Sequence, residues 1–321
     1  MSDDSNAKPH VTTTLERRSL LGYDVPPIAI GCAPLANMPE TFGYEVTDDL
    51  ATSTIRTALE SELNWLDTAA KYGDGESERR IGIVLRELGG LPDGAFLDTK
   101  IGAAPDGRFD AETVRERFAR SQELLGLETI DLVFLHDPEQ RPFEEMTAPG
   151  GPLDALQQLR DEGKIRHLGV AGGPIEEMTR YIETGFFEAA ITHNRYTLLN
   201  RVAEPLLDAC HKRGIPLLNA APYGSGILAK GPSQYPRYAY STADETMLGR
   251  AETLEEICGR HGVPLAAAAL QFSIRDPRIT GTIVGMTRPE RISQTIEFAT
   301  VEITDACWQE LMTIPFSTEE I

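Results

Sequence analysis

The chain has 321 residues and a formal net charge of −20. Such a surface repels polyanions, which argues against nucleic acid and anionic membrane as partners, and no apolar stretch reaches the roughly 18 residues that cross a bilayer. With 41% hydrophobic residues it can bury a large core, either as two domains or as one barrel.

Residues 1–14 are polar, lack the apolar core of a secretory signal, and read as a disordered tail. Across 15–27, Gly22 and the paired prolines Pro26 and Pro27 predict a small hairpin or lid. A short apolar strand follows over 28–31. Thr47 N-caps a helix to Glu62 on which Ala51, Ile55, Ala58 and Leu59 share a face. The run 63–66 is a strand that ends in Asp67. A helix follows from about Ser77 to Leu88, with Ile81, Val84, Leu85 and Leu88 inward and Glu76 and Glu78 at its positive end. The alternation then repeats. Strand 96–100 precedes a helix capped by Asp110 and carrying Val114, Phe118 and Leu125. Strand 130–135 leads to His136, followed by helix 152–162, strand 165–171, helix 175–183, strand 189–192, helix 203–212 and strand 215–220. A loop rich in glycine and proline runs to about Gly249. Helical segments 251–260 and 265–274, strand 280–284, helix 289–298 and an added helix 304–312 complete the chain.

Eight strands, each followed by helix, imply a parallel sheet with right-handed crossovers. Eight such units fit a closed (β/α)8 TIM barrel, one domain over 15–321 with an extra C-terminal helix. A doubly wound open sheet is the alternative, but it usually carries G-x-G-x-x-G after its first strand, where this chain has Gly31-Cys32-Ala33-Pro34. Cys32, Cys210, Cys258 and Cys307 are far apart and form no CxxC pair. They read as buried reduced thiols of a cytoplasmic protein without a metal site, Cys32 lying near the site without doing chemistry.

In such a barrel, catalytic groups come from the C-terminal strand ends. Asp67 ends the second strand with Tyr72 just beyond it, Lys100 ends the third and His136 the fourth. A free tyrosine, with a pKa of about 10, exchanges protons poorly near neutrality. A nearby ammonium lowers that value, and Asp67 would hold Lys100 charged and oriented. With His136 hydrogen-bonding the reacting oxygen, the four make a tuned acid/base facing a carbonyl or alcohol. Taken singly, each has a plainer explanation: a structural ion pair, a satisfied histidine, a rim aromatic. Four on adjacent strand ends make coincidence a poor account.

Asp67-Thr68-Ala69-x-x-Tyr72-Gly73, Asp98-Thr99-Lys100 and Leu135-His136-Asp137 resemble the motifs of the aldo-keto reductases. The resemblance runs through Gly169-Val170, Arg195 to Leu199 and Pro222 to Gly226 as far as Arg288 to Ile292, and covers about 19–312. It implies a metal-free enzyme using NADP or NAD, with Tyr72 as proton donor or acceptor, Lys100 and Asp67 as its tuners and His136 as substrate orienter. The chain departs from the family pattern where the carboxamide and nicotinamide are usually held, with Ala171-Gly172, His193 and Ala220, and Asn194 is the neighbouring group that would substitute. By the same resemblance the loop Tyr223, Gly224, Ser225, Gly226 and Leu228 would close over the pyrophosphate. Arg288 and Arg291 sit at a helix N-terminus suited to phosphate. Arg291 leans the choice toward NADP, whereas Gly285 stands where NADP-preferring members often have lysine.

The strings Asn194 to Leu199 and Asn219 to Gly226 are similar to those of the sugar 1-dehydrogenase and pyridoxal 4-dehydrogenase branch. The expectation is a cytoplasmic NAD(P)-dependent enzyme, monomer or homodimer, that oxidises an aldose at C1 to a lactone. A general NADPH-dependent aldehyde or ketone reductase, a non-catalytic cofactor-binding regulatory subunit and a Schiff-base lyase using Lys100 are the alternatives. Loops 32–46, 137–151 and 221–248 and the tail after Met312 would set specificity.

Overall fold

A computed structural model describes residues 15–321; the tail expected to be disordered over 1–14 lies outside the described residues. Eight parallel strands close into a barrel: β1 (Ile28–Gly31), β2 (Trp65–Asp67), β3 (Phe96–Ile101), β4 (Ile130–His136), β5 (Ile165–Ala171), β6 (Ala189–His193), β7 (Leu217–Ala220) and β8 (Ile279–Gly285). Each pairs with the next in sequence, and β8 returns to β1 with Thr282 opposite Ile28 and Gly285 opposite Gly31. This is the (β/α)8 architecture that the alternation predicts.

The outer layer comprises α1 (Asp48–Glu60), α2 (Glu76–Leu88), α3 (Ala111–Leu125), α4 (Pro152–Asp161), α5 (Ile175–Glu183) and α6 (Glu204–Arg213). It continues with α7 (Glu245–Arg260), α8 (Leu265–Ile274) and α9 (Glu290–Thr300), and ends with the added α10 (Asp305–Leu311). Local chemistry sets their starts. Thr47, Asp110, Asp244 and Thr304 each accept a backbone N–H of the first turn of α1, α3, α7 and α10, which satisfies one of the donors a helix leaves orphaned. The face Ala51, Ile55, Ala58 and Leu59 of α1 is buried as expected. Leu88, expected inward, is exposed instead. It is the last residue of α2, and the left-handed C-cap Gly89 turns the chain away from the core.

Strand alternation sorts the side chains into two cores. Outward residues such as Ile30, Leu66, Leu97, Val133, Leu135 and Val170 pack under the helices. Inward ones, among them Ala29, Trp65, Phe96, Leu132, Phe134, Ile191, Leu218 and Ile283, fill the barrel interior. Trp65 is fully buried there, and Gly281 makes it fit: a Cβ at that position would stand 2.5 Å from the indole.

The segment at 15–27 is a hairpin, Arg18–Leu20 paired antiparallel with Tyr23–Val25. It is not a lid. Leu20 and Val25 join the interior core, and Arg18 donates to the carbonyls of Ile274 and Ile279, where β8 begins. The hairpin therefore closes the N-terminal end of the barrel, the end opposite His136.

Candidate active site

The inward parity that buries Phe96 also brings Asp98 and Lys100 to the interior, so Lys100 is the second-last residue of β3, with outward Ile101 ending the strand. Asp67 and His136 do end β2 and β4. Beyond Asp67 the chain stays in register with β3, Thr68 N–H bonding Asp98 O and Ala70 N–H bonding Lys100 O. A tight turn then follows through Gly73, whose φ of +60° is left-handed and whose missing Cβ leaves room for Ala36 O, 2.7 Å from where it would lie. That turn aims Tyr72 back over the barrel. Lys100 Nζ lies 2.6 Å from Asp67 Oδ2 and donates to Tyr72 Oη at 3.3 Å and Thr68 O at 2.8 Å. The His136 ring stands edge-on to that of Tyr72, centroids 5.9 Å apart. The four sequence-predicted groups thus meet at one point of the mouth.

Burial dominates the electrostatics of the site. It pushes the Tyr72 phenol above its ordinary value. Lys100 pulls the other way but does not win, so the resting phenol holds its proton. Burial also opposes charge on Lys100, but its acidic surroundings, Asp67 at 2.6 Å foremost, outweigh it and keep the ammonium. The imidazole of His136 is driven by burial down to about 3 and is neutral, and its Nδ1 has no hydrogen-bond partner among the described residues. Neutral imidazole can donate to, or accept from, an oxygen without competing for the proton. Cys32, fully buried after β1, is held as a thiol by the same burial.

The expected cofactor residues form the opposite side of the mouth. Asn194, buried and left-handed at φ +57°, follows β6, and its Oδ1 accepts from Ser225 Oγ at 3.0 Å. Ser225, at φ +63°, sits in the turn that links Tyr223 to the short helix Ile227–Lys230. Gly224, Gly226 and Leu228 donate their N–H groups within this turn, to Ala221 or Tyr223 carbonyls. Leu228 faces the helix-side core, so its side chain is not at the mouth. Arg288 precedes α9 and Arg291 lies in its first turn, both exposed. The charge of Arg291 bears on the phenol of Tyr223, and with Arg288 on that of Tyr44. The loops after β1 and β7 and the start of α9 therefore converge, and their aromatic surfaces and two exposed guanidinium groups, Arg291 also donating to Gln294 Oε1, suit a phosphate-bearing dinucleotide. Ala171, Gly172, His193 and Ala220 do occupy the strand ends where the family pattern differs.

Three features escape sequence reasoning. His193 is driven by burial down to about 4 and faces the same mouth as a second neutral imidazole. Lys71 Nζ bridges to Asp137 Oδ2 at 2.8 Å, while Asp137 Oδ1 lies 3.5 Å from His136 Nε2. Asp98 is fully buried beneath the Lys100–Asp67 pair. Strand parity was the available signal for Asp98, two residues before Lys100. The rim pair had none, because it joins two loops. Among the described residues, no group of three or more His, Cys, Asp or Glu could hold a metal ion, and no helix is long and apolar enough to cross a membrane.

The solved structures that resemble this one share the fold. A glycerol dehydrogenase from Gluconobacter oxydans superposes with a TM-score of 0.73 at 21% identity, covering 93% of this chain and 94% of that one. An aldo-keto reductase from Bacillus halodurans, in its holo form, gives 0.75 at 20% identity, covering 94% and 96%. Among curated proteins, a D-threo-aldose 1-dehydrogenase of a Pseudomonas species is 30% identical over 94% of this chain and 97% of its own length. A pyridoxal 4-dehydrogenase of Microbacterium luteolum is 28% identical over 92% and 96%. The model of the aldo/keto reductase family matches residues 27–314. With that match spanning the whole barrel, the chain belongs to the aldo/keto reductase family and is an NAD(P)-dependent oxidoreductase.

Proposed function

We propose that the protein oxidises the anomeric hydroxyl of an aldose to a lactone, with Tyr72 as the proton-transfer group. The observation that carries this reading is the chain of contacts Asp67–Lys100–Tyr72, 2.6 Å and 3.3 Å, beside the edge of a neutral His136. Bound NAD(P)+ supplies the hydride acceptor. The protein's own residues do the rest. The phenolate of Tyr72 takes the hydroxyl proton as the C–H bond breaks and C–O becomes C=O. Lys100 stabilises that phenolate, and His136 orients the oxygen. The rim pair Lys71–Asp137 and neutral His193 offer donors and acceptors of the kind a polyhydroxylated substrate needs. Likeness to the D-threo-aldose 1-dehydrogenase supports the sugar, and Arg291 at the start of α9 supports NADP.

One observation favours a second reading, a reductase of aldehydes. Burial keeps Tyr72 protonated, which is the form that donates to a carbonyl oxygen. The test is NAD(P)H absorbance at alkaline pH with NAD+ and NADP+ taken separately against L-fucose, D-arabinose, L-galactose, D-glucose and pyridoxal. Oxidation of one sugar is the expected result and identifies the cofactor. Silence on every sugar with NADPH-dependent loss of an aldehyde would overturn the sugar assignment in favour of the reductase. Tight cofactor binding without turnover in either direction would overturn both in favour of a regulatory subunit.

A further inference from the structure

Asp98 is a buried acid that the tetrad does not use. It shares the inward face of β3 with Phe96 and Lys100, and it stands in register with Asp67 across the β2–β3 pair. Its side chain is fully buried. One oxygen, Oδ2, accepts from the indole Nε1 of Trp65 at 2.7 Å. The other, Oδ1, has no hydrogen-bond partner among the described residues, whereas Asp67 Oδ2 lies 2.6 Å from Lys100 Nζ. The two acids are direct cross-strand neighbours on the inward face, and the charge of Asp67 bears on the Asp98 carboxyl.

Two ionised carboxylates carry acceptors only and repel. Buried together with a single ammonium they would leave one uncompensated charge, which proteins avoid. One proton between them gives the orphaned Asp98 Oδ1 a role as donor and makes the buried set Lys100, Asp67 and Asp98 neutral overall. The other groups facing the pair do not provide that proton or charge: the Cys32 thiol and the Tyr72 phenol are neutral, and Trp65 already donates to Oδ2. Burial, together with the charge of Asp67, accordingly holds the Asp98 carboxyl well above its ordinary range.

We propose that Asp98 is a positioning residue that keeps its proton at neutral pH and donates it in a hydrogen bond to the Asp67 carboxylate. This bond draws the negative charge of Asp67 away from Lys100 and leaves more of the ammonium's field for the Tyr72 oxygen. The functional part rests on Tyr72 being the proton-transfer group; the protonation state does not. Trp65 completes the arrangement by fixing the rotamer of Asp98 from below, so a base of aromatic packing is linked to the proton-transfer residue through two hydrogen-bonding carboxyls.

The test has two arms. Infrared difference spectra of the unliganded full chain against Asp98→Asn require no activity. A protonated-carboxyl C=O band lost in the variant is expected, and loss of a carboxylate band in its place overturns the proposal. In the second arm, the pH profile of kcat/KM for oxidation is compared in the wild type, Asp98→Asn and Asp98→Leu. Asparagine is neutral, accepts from Trp65 and donates to Asp67, so the limb set by Tyr72 should stay in place, with kcat/KM within about threefold. Leucine cannot donate, and the limb should move up by about one unit, a loss of about tenfold at fixed pH below it. A downward move in Asp98→Asn would mean that an ionised carboxylate had been removed, and would sink the proposal. An unmoved limb in Asp98→Leu would sink its tuning role. Should the leucine variant fail to fold, the asparagine results decide alone. If sugar activity is absent altogether, the infrared arm still separates this inference from the proposed function.

Discussion

The two sides of the barrel mouth are built from different material. On the side of β2–β4 the reactive groups are strand residues or stand one turn beyond a strand. Asp67, Lys100 and His136 are fixed by strand parity and nearly closed to solvent. On the side of β6–β8 the candidate cofactor groups lie on loops or in the first turn of a helix, with left-handed backbone at Asn194, Ala221, Ser225, Ala239 and Tyr240. The first side places atoms to fractions of an ångström, as proton transfer demands. The second places a surface, which suits the grip on an extended ligand and tolerates variation.

Variants on the two sides should therefore fail in different ways. Tyr72→Phe removes the proton carrier and should lower kcat roughly 10³-fold. Cofactor affinity, read by quenching of protein fluorescence, should change little; a Tyr72→Phe enzyme that turns over at the wild-type rate would end the assignment. The pH response follows from the raised value of Tyr72. Its neutral form, the donor for reduction, persists through neutral pH and is lost only as pH rises through that value. The phenolate needed for oxidation grows about tenfold per unit below it. Initial rates in the two directions should thus diverge with pH, oxidation climbing into the alkaline range and reduction flat near neutrality. Parallel profiles would break the link.

On the loop side, Arg291→Ala should weaken NADP+ roughly tenfold through loss of one charge-assisted phosphate contact. It should leave NAD+ within about twofold and kcat nearly unchanged. Equal weakening of both cofactors would show that the guanidinium does not discriminate the phosphate. Farthest from the mouth, Leu20→Ala in the hairpin opens a hole in a fully buried interior. It should cost about 2–5 kcal/mol of stability in denaturant unfolding, with kcat almost untouched at temperatures where the variant remains folded.

Much of this plan was legible in the sequence, because its signals are periodic. The alternation of elements gave eight strands, and strand-end position gave Asp67, Tyr72, Lys100 and His136. What depends on a contact between distant segments was not legible. Asp98 lies in the quoted stretch Asp98-Thr99-Lys100, and parity alone would turn it inward. Its meaning requires the indole of Trp65 and the carboxyl of Asp67, both on the neighbouring strand. The hairpin could be read from Gly22 and the prolines, but not which end of the barrel it covers, since that is decided by where Leu20 and Val25 find room. Leu88 followed the helical period and still ended exposed, because the helix stops at it. The loop after β7 showed its glycines and prolines and the stretch Tyr223 to Leu228, but not that the Tyr240 ring meets Phe42 from the loop after β1, centroids 6.4 Å apart.

The plugged floor has a kinetic consequence. With Leu20, Val25, Trp65 and Phe96 filling the barrel below the tetrad, ligands should reach Tyr72 from the mouth rather than through the floor. Exchange would then be governed by the loops after β1 and β7, where the rings of Phe42 and Tyr240 meet.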